Sequence, residues 1–189
     1  MLIQILSFLL ETAFFVLMAA ALLRAWMNWL RVSMTGQPGS FVMALTDWLV
    51  KPLRRSLPKA WTKSRVDWAS MLAATLMALA YAVLVGLLFS VLSNVGEDGL
   101  DFAPGVFLML PVIAVKMLLR VALQTTFMLV LGYAILSWVQ PGSSVYGLLA
   151  RLIEPLLTPF RRVIPAIGGV DLSALVLLVV LQIGMMILI

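Results

Sequence analysis

The segment WASMLAATLMALAYAVLVGLLFSVL, residues 68–92, contains no charged side chain. A helix needs about 20 such residues to cross a bilayer. Three other runs have the same character: residues 121–139 and 172–189 carry no charge, and residues 1–23 carry only Glu11. The sequence therefore predicts an all-α membrane protein with four transmembrane helices.

The composition supports a membrane protein, because only 11% of the residues are charged and a soluble domain has about 25%. The chain has no cysteine and no histidine, so a disulfide framework and a cysteine-ligated metal are excluded. We expect no metal and no cofactor. The first apolar run could be a signal peptide, but no basic residue precedes it and Glu11 interrupts it. We predict a retained span.

The net charge of +5 could indicate nucleic-acid binding, but the positions of the basic residues indicate membrane topology instead. Residues 93–105 contain only acidic charges. Short basic loops lie in the cytoplasm, so we predict two cytoplasmic loops, two external termini and no nucleic-acid partner. The basic residues of the two loops are Arg31, Lys51, Arg54, Arg55, Lys59, Lys63 and Arg65, and Arg151, Arg161 and Arg162.

The motif P-x-R-R-x-x-P occurs twice, in KPLRRSLP at residues 51–58 and in TPFRRVIP at residues 158–165. Arg54 aligns with Arg161, an offset of 107 residues. Trp29 and Trp138 precede the two copies, and VDWAS and VDLSA follow them. We predict two parallel helix-loop-helix repeats. The first covers residues 1–92, with spans at about 1–29 and 68–92; an acidic external loop covers 93–105; the second covers 106–189, with spans at about 110–139 and 172–189.

Each basic loop has apolar residues at helical spacing, which predicts an amphipathic helix on the membrane surface. Proline cannot continue the hydrogen bonds of a helix. We therefore expect Pro52 and Pro159 to end these helices and to leave the arginines in short constrained segments. The apolar residues are Phe41, Leu45, Trp48 and Leu49 in the first loop, and Val145, Leu148, Leu149, Leu152, Leu156 and Leu157 in the second.

The arginine pairs have two interpretations. They could anchor the loops on anionic lipid, or they could form a specific site, because the guanidinium group can bind phosphate or carboxylate with two hydrogen bonds. Asp67 and Asp171 stand just before charge-free spans. They could cap those helices or pair with the arginines.

Four charged residues interrupt the first and third spans. Counting back from Trp29 and Trp138 places Glu11 and Arg120 at equivalent depths near the outer interface. We expect either an ion pair between them or independent extension of each side chain to the surface. Arg24 is expected to reach the cytoplasmic surface, and Lys116 to lie outside the hydrocarbon core.

Four segments of the chain resemble the YggT family of bacterial inner-membrane proteins, whose relatives also occur in chloroplast thylakoids. They are LLRAWMNWL from Leu22, KPLRRSLP, YAILSWV from Tyr133, and PLLTPFRRVIPAIGGVDLSALVLL from Pro155. The stretch KAWTKSRVD departs from the family pattern. The resemblance implies an inner-membrane location and a functional surface formed by Pro52, Arg54, Arg55, Pro58 and Asp67, and by Pro159, Arg161, Arg162, Pro165, Gly168, Gly169 and Asp171.

The resemblance also implies links to osmotic tolerance, cell division or assembly of membrane complexes, without a catalytic reaction. We expect a non-catalytic scaffold or assembly factor that binds anionic lipid headgroups or membrane proteins and could form a homo-oligomer. The alternative is a small channel or transporter component for ion homeostasis. An enzyme with Asp67, Asp171 or Glu154 as base is a third hypothesis, but no histidine, cysteine or metal-ligand cluster supports it.

Overall fold

The computed structural model describes residues 2–34, 36, 38–58, 66–93, 104–162 and 172–188. All regular structure in these residues is helical, which confirms the all-α prediction for this part of the chain. Residues 94–103, most of the predicted acidic loop, lie outside it. The six described helices are α1 Leu2–Trp29, α2 Gly39–Ser56, α3 Trp68–Ser93, α4 Pro104–Val139, α5 Ser144–Arg161 and α6 Leu172–Leu188.

Three helices are long and apolar enough to cross a membrane: Gln4–Trp29 in α1, Trp68–Leu88 in α3, and Met109–Val139 in α4. The fourth predicted span, α6, is equally apolar but has 17 described residues, the lower end of the range of about 17 to 25 for a transmembrane helix. The prediction of long apolar helices is confirmed for three spans. The fourth span stays a prediction.

The chain divides into two compact units, Met1–Val121 and Ala122–Ile189. The boundary falls within α4, which continues without interruption through Pro111. This division follows spatial contacts, so it is separate from the predicted division into sequence repeats.

Small and flexible side chains pack the first unit. Ala74, Ala78 and Ala82, spaced four residues apart on α3, are fully or almost fully buried, and alanine allows membrane helices to approach closely. Met18 of α1 and Met117 of α4 join the same core. The buried alanines therefore allow α3 to pack closely within the first unit.

Helix α2 lies against α1 and α3. Its inner face presents Val42, Thr46 and Val50, which are four residues apart and buried. Before α2, Arg31 adopts a left-handed conformation with φ of 55°. The backbone amides of Arg31 and Val32 donate to the carbonyls of Asn28 and Met27, which is the Schellman arrangement that ends α1.

The second unit contains α5, α6 and the end of α4. Here the sequence prediction of a membrane-facing stripe is wrong for Leu152 and Leu157, which are buried within the protein. The physical reason is protein packing: α5 contacts α6, and Leu149 approaches Gly132 of α4 so closely that a Cβ on this glycine would lie 3.4 Å from a Leu149 methyl.

The expectation that Pro52 and Pro159 end their helices is also wrong. Helix α2 continues to Ser56, and α5 continues to Arg161. A proline inside a helix removes one backbone hydrogen bond and costs about 3 kcal/mol. Contacts of the last turn offset this cost, since Leu53 and Leu57 pack against the cluster of Val50, Ala69 and Ala73 in the first unit.

Candidate functional site

The structure describes most of the two motif copies, which we call the first arginine segment (residues 52–58) and the second arginine segment (residues 159–165). Arg54 and Arg55 belong to the last turn of α2. Arg161 is the last residue of α5, and Arg162 follows it. Pro165, Gly168, Gly169 and Asp171 lie outside the described residues.

Arg54 pairs with the carboxylate at the start of the next helix. Its Nη2 lies 2.8 Å from Oδ2 of Asp67, whose side chain is only 4% exposed. Asp67 also accepts hydrogen bonds from the backbone amide of Ser70 (3.3 Å) and from the Ser70 hydroxyl (2.9 Å). Asp67 therefore both caps α3 and fixes Arg54, so the two roles considered for it coexist.

Arg161 has different partners in the second unit. Its Nη1 lies 3.1 Å and 3.2 Å from the two carboxylate oxygens of Glu154, two helical turns earlier in α5. Its Nη2 donates to the hydroxyl of Tyr133 at 2.9 Å. The Tyr133 ring is stacked on Tyr146, with centroids 5.2 Å apart. Helix α5 must continue through Pro159 for Arg161 and Glu154 to meet.

Arg55 and Arg162, the second arginine of each pair, are exposed. Within the described residues, neither side chain makes a hydrogen bond or an ion pair. The two arginines of each motif thus have different surroundings. The first contacts the protein, and the second is available to an external ligand.

Sequence reasoning missed a polar network between α1 and α2. Arg24, expected to reach the surface, is instead 6% exposed. Its Nη1 donates to Thr46 Oγ1 and to Asp47 Oδ1, both at 2.8 Å. Thr46 was the residue in the sequence that could have indicated this network. It lies between Val42 and Val50 in an otherwise apolar, buried row, so its hydroxyl needs a polar partner.

Asp47 is shared between two cations in this network. Lys51 Nζ lies 2.7 Å from its second carboxylate oxygen, one turn later in α2. Lys51, and after it Arg24, holds the pKa of the Asp47 carboxyl below its ordinary value, although burial acts in the opposite direction. Asp47 is therefore ionised at neutral pH and ties α2 to α1.

Glu11 and Arg120 are brought together by α1 and α4. Arg120 Nη1 lies 3.1 Å from Glu11 Oε1, and both side chains are about half exposed. An exposed pair of this kind contributes little stability in water. Because both residues interrupt apolar spans, mutual pairing also lowers the cost of placing each charge near hydrocarbon.

No group of three or more acidic residues that could hold a metal ion occurs in the described part of the chain. Of the carboxylates considered as bases, Asp67 and Glu154 are each paired with an arginine, and Asp171 is not described. The arrangement offers hydrogen-bond donors for an anion at Arg55 and Arg162. It can therefore bind an anionic group.

The fold and the exposed arginines define the class of protein as an α-helical membrane protein with basic residues at the carboxyl ends of α2 and α5. The chain belongs to the CCB3/YggT family, whose sequence model matches residues 3–88 and 112–189. These two matched segments are consistent with a repeated sequence.

Individual relatives match over most of their length. An uncharacterised protein of Vibrio alginolyticus is 35% identical over 93% of this chain and 89% of its own. The YggT protein of Escherichia coli K12 is 32% identical over 94% of this chain and 86% of its own. A Haemophilus influenzae protein is 32% identical over 85% and 78%. No solved structure matches the chain significantly.

Proposed function

We propose that this chain is a non-catalytic scaffold or assembly factor of the bacterial inner membrane, which binds lipid headgroups or membrane proteins through Arg55 and Arg162. The proposal is carried by the exposure of these two side chains and by their lack of an ion-pair partner among the described residues. The links of the resembling family to osmotic tolerance, cell division and membrane-complex assembly are compatible with such a role.

The proposed topology has four spans in two parallel repeats, with both basic loops in the cytoplasm and both termini outside. The positive-inside rule supports it. Helix α6 is apolar over its 17 residues, and at 1.5 Å per residue it covers about 26 Å of a hydrocarbon layer of about 30 Å. Cysteine labelling tests the topology directly, because the chain has no native cysteine.

The functional test is affinity capture from native membranes with the double variant Arg55→Gln/Arg162→Gln. A matched control, Arg31→Gln/Arg151→Gln, removes two exposed arginines from the same two loops. We expect the first variant to lose partner or lipid capture and the control to retain it, with unchanged insertion and orientation in both. If Arg55→Gln/Arg162→Gln captured the same partners as the unmodified chain, the arginine pairs would act only as topological anchors.

A channel or transporter component is the second candidate function. The polar residues Gln124, Thr125 and Thr126 lie within the Met109–Val139 span, and the buried Thr125 hydroxyl has no hydrogen-bond partner among the described residues. Polar side chains within a transmembrane span are typical of transport pathways. Ion flux in reconstituted vesicles that is changed by Thr125→Val would support this candidate; silent, correctly oriented vesicles would oppose it.

A further inference from the structure

The outward face of α2 has an unusual composition for a helix outside the apolar spans. Phe41, Trp48 and Arg55 are seven residues apart, which places them on one side of the helix. Phe41 is 63% exposed and Trp48 is 62% exposed. The opposite side of α2, with Val42, Thr46 and Val50, is buried. The aromatic side chains therefore do not serve the protein core.

The exposed ring of Trp48 is suited to an interface between apolar and polar surroundings. Its indole nitrogen donates to the carbonyl of Leu45 at 2.8 Å, so its polar group is satisfied within α2 and the ring remains free for apolar contact. Aromatic residues of this kind are enriched where a membrane meets water.

Positive charge accompanies the aromatic pair on this face. Arg55 has no partner in the described residues, and Lys51 is exposed, although it pairs with Asp47. Asp47 is itself shared with Arg24, and Asp67 is taken by Arg54. The network around α2 consequently has four cations and two carboxylates. Arg55, the cation without a partner among the described residues, follows the aromatic residues on the same face.

The equivalent face of α5 lacks the aromatic residues. Under the 107-residue offset, Phe41, Trp48 and Arg55 correspond to Leu148, Pro155 and Arg162. Arg162 is exposed like Arg55, but no aromatic residue occupies the equivalent face before it. This contrast separates the contribution of charge from the contribution of the aromatic anchors.

We infer that the outward face of α2 is a binding site for an anionic phospholipid: Arg55 binds the headgroup phosphate, Lys51 adds positive charge, and Trp48 and Phe41 enter the interfacial region. This inference rests on the proposed function, since it names the ligand of the first arginine segment. The exposed cations Arg55 and Lys51 and two exposed aromatic rings on the outward side of one helix match the charge and polarity of an anionic bilayer surface.

The test measures binding of phosphatidylglycerol to the full chain in detergent by native mass spectrometry, with phosphatidylcholine as the neutral lipid. Arg55→Gln should weaken phosphatidylglycerol binding about fivefold, the effect expected for one cation near an anionic surface. Arg55→Lys should restore most of it. Trp48→Ser should weaken binding without a change in charge. Arg162→Gln should weaken it less than Arg55→Gln does, because no aromatic anchors accompany Arg162, and the control Arg151→Gln, at an exposed arginine of α5, should leave it near the level of the unmodified chain. Excess glycerol phosphate should not displace the lipid.

Equal losses for Arg55→Gln and Arg162→Gln would overturn the α2 site and leave the proposed function intact. Unchanged binding in Trp48→Ser, or displacement by glycerol phosphate, would also overturn it, because the site would then recognise phosphate alone. A protein captured through Arg55 without any phosphatidylglycerol preference would assign the face to a protein partner instead. The capture experiment with Arg55→Gln/Arg162→Gln tests the proposed function independently.

Discussion

The two arginine segments have the same sequence motif and, among the described residues, different supporting contacts. In the first, Asp47 of α2 pairs with Arg24 of α1, and Arg54 pairs with Asp67. In the second, Glu154, the equivalent of Asp47, pairs directly with Arg161. The difference begins five residues before the aligned tryptophans, where the first copy has Arg24 and the second has Tyr133.

This comparison shows how a repeated motif can keep its residues while the partners of its first arginine differ. A buried cation at position 24 requires a carboxylate, and Asp47 supplies it. Tyr133 is neutral, so Glu154 remains available to Arg161, and the tyrosine hydroxyl accepts a second hydrogen bond from the same arginine. In both copies, contacts within the protein hold the first arginine of the motif, and the second arginine is exposed.

The largest expected difference between the copies concerns their equivalent carboxylates. Asp47→Ala leaves the buried Arg24 guanidinium without its counter-charge and should lower the free energy of unfolding by about 3 kcal/mol. Glu154→Ala breaks a more exposed pair and should cost about 0.5 kcal/mol. Detergent-titrated unfolding of the full chain, followed by circular dichroism, measures both. Similar losses would contradict the assigned difference in burial.

A second difference lies at the start of the two loop helices. A Cβ on Gly39 would lie 2.7 Å from Cα and 2.9 Å from the carbonyl oxygen of Met34. Because backbone cannot yield as a flexible side chain can, Gly39→Ala should destabilise the fold by about 2 kcal/mol. The equivalent position in the second copy holds Tyr146, which stacks on Tyr133.

Gly147 provides the control for this substitution. A Cβ there would have no neighbour within 4 Å, so Gly147→Ala should stabilise α5 by about 0.5 kcal/mol, the gain expected from replacing glycine within a helix. Thermal unfolding of the two variants side by side should therefore give shifts of opposite sign. A neutral Gly39→Ala would mean that residues 34 and 39 are farther apart than the structure places them.

The third difference separates the two arginines within one motif. Arg54→Gln leaves the buried Asp67 carboxylate without its cation and should cost about 1.5 kcal/mol, the value for a hydrogen bond to a charged group. Arg55→Gln should change stability by less than about 0.5 kcal/mol, as exposed substitutions do. Equal effects in denaturation of the two variants would remove the distinction between a supporting and an available arginine.

The sequence was sufficient to predict the apolar helices and much of their extent. The first span was predicted at residues 1–29 and is found at Leu2–Trp29, and the second was predicted at 68–92 and is found at Trp68–Ser93. Long runs without charge constrain a chain strongly, because unpaired backbone groups are costly in hydrocarbon. The extent of a charge-free run in the sequence therefore predicts the extent of the helix in the structure.

The contacts of the loop helices were harder to predict, because they depend on which helix face meets the protein. Proline at positions 52 and 159 indicated helix ends, yet both helices continue for about a turn or less. Packing of Leu53 and Leu57 extends α2, and the contacts of Arg161 extend α5. The burial of Arg24 was missed for a related reason: an arginine side chain near a span end can reach either water or a neighbouring helix. Only the position of α2 decides between them.

A last comparison concerns the pH dependence of the Asp47 network. Lys51 and Arg24 lower the pKa of Asp47 in the folded chain, so the stability it contributes is complete above the ordinary aspartate value of about 3.9 and is lost as the pH falls through the lower, folded value. The unfolding midpoint of the unmodified chain should thus exceed that of Asp47→Asn at neutral pH, and the two should converge under more acidic conditions. Glu154→Gln provides the comparison for the second copy, where a smaller gap at neutral pH is expected because that pair is more exposed. If the unfolding midpoints of the unmodified chain and Asp47→Asn still differed in acid, Asp47 would stabilise α2 through its shape and not through its charge.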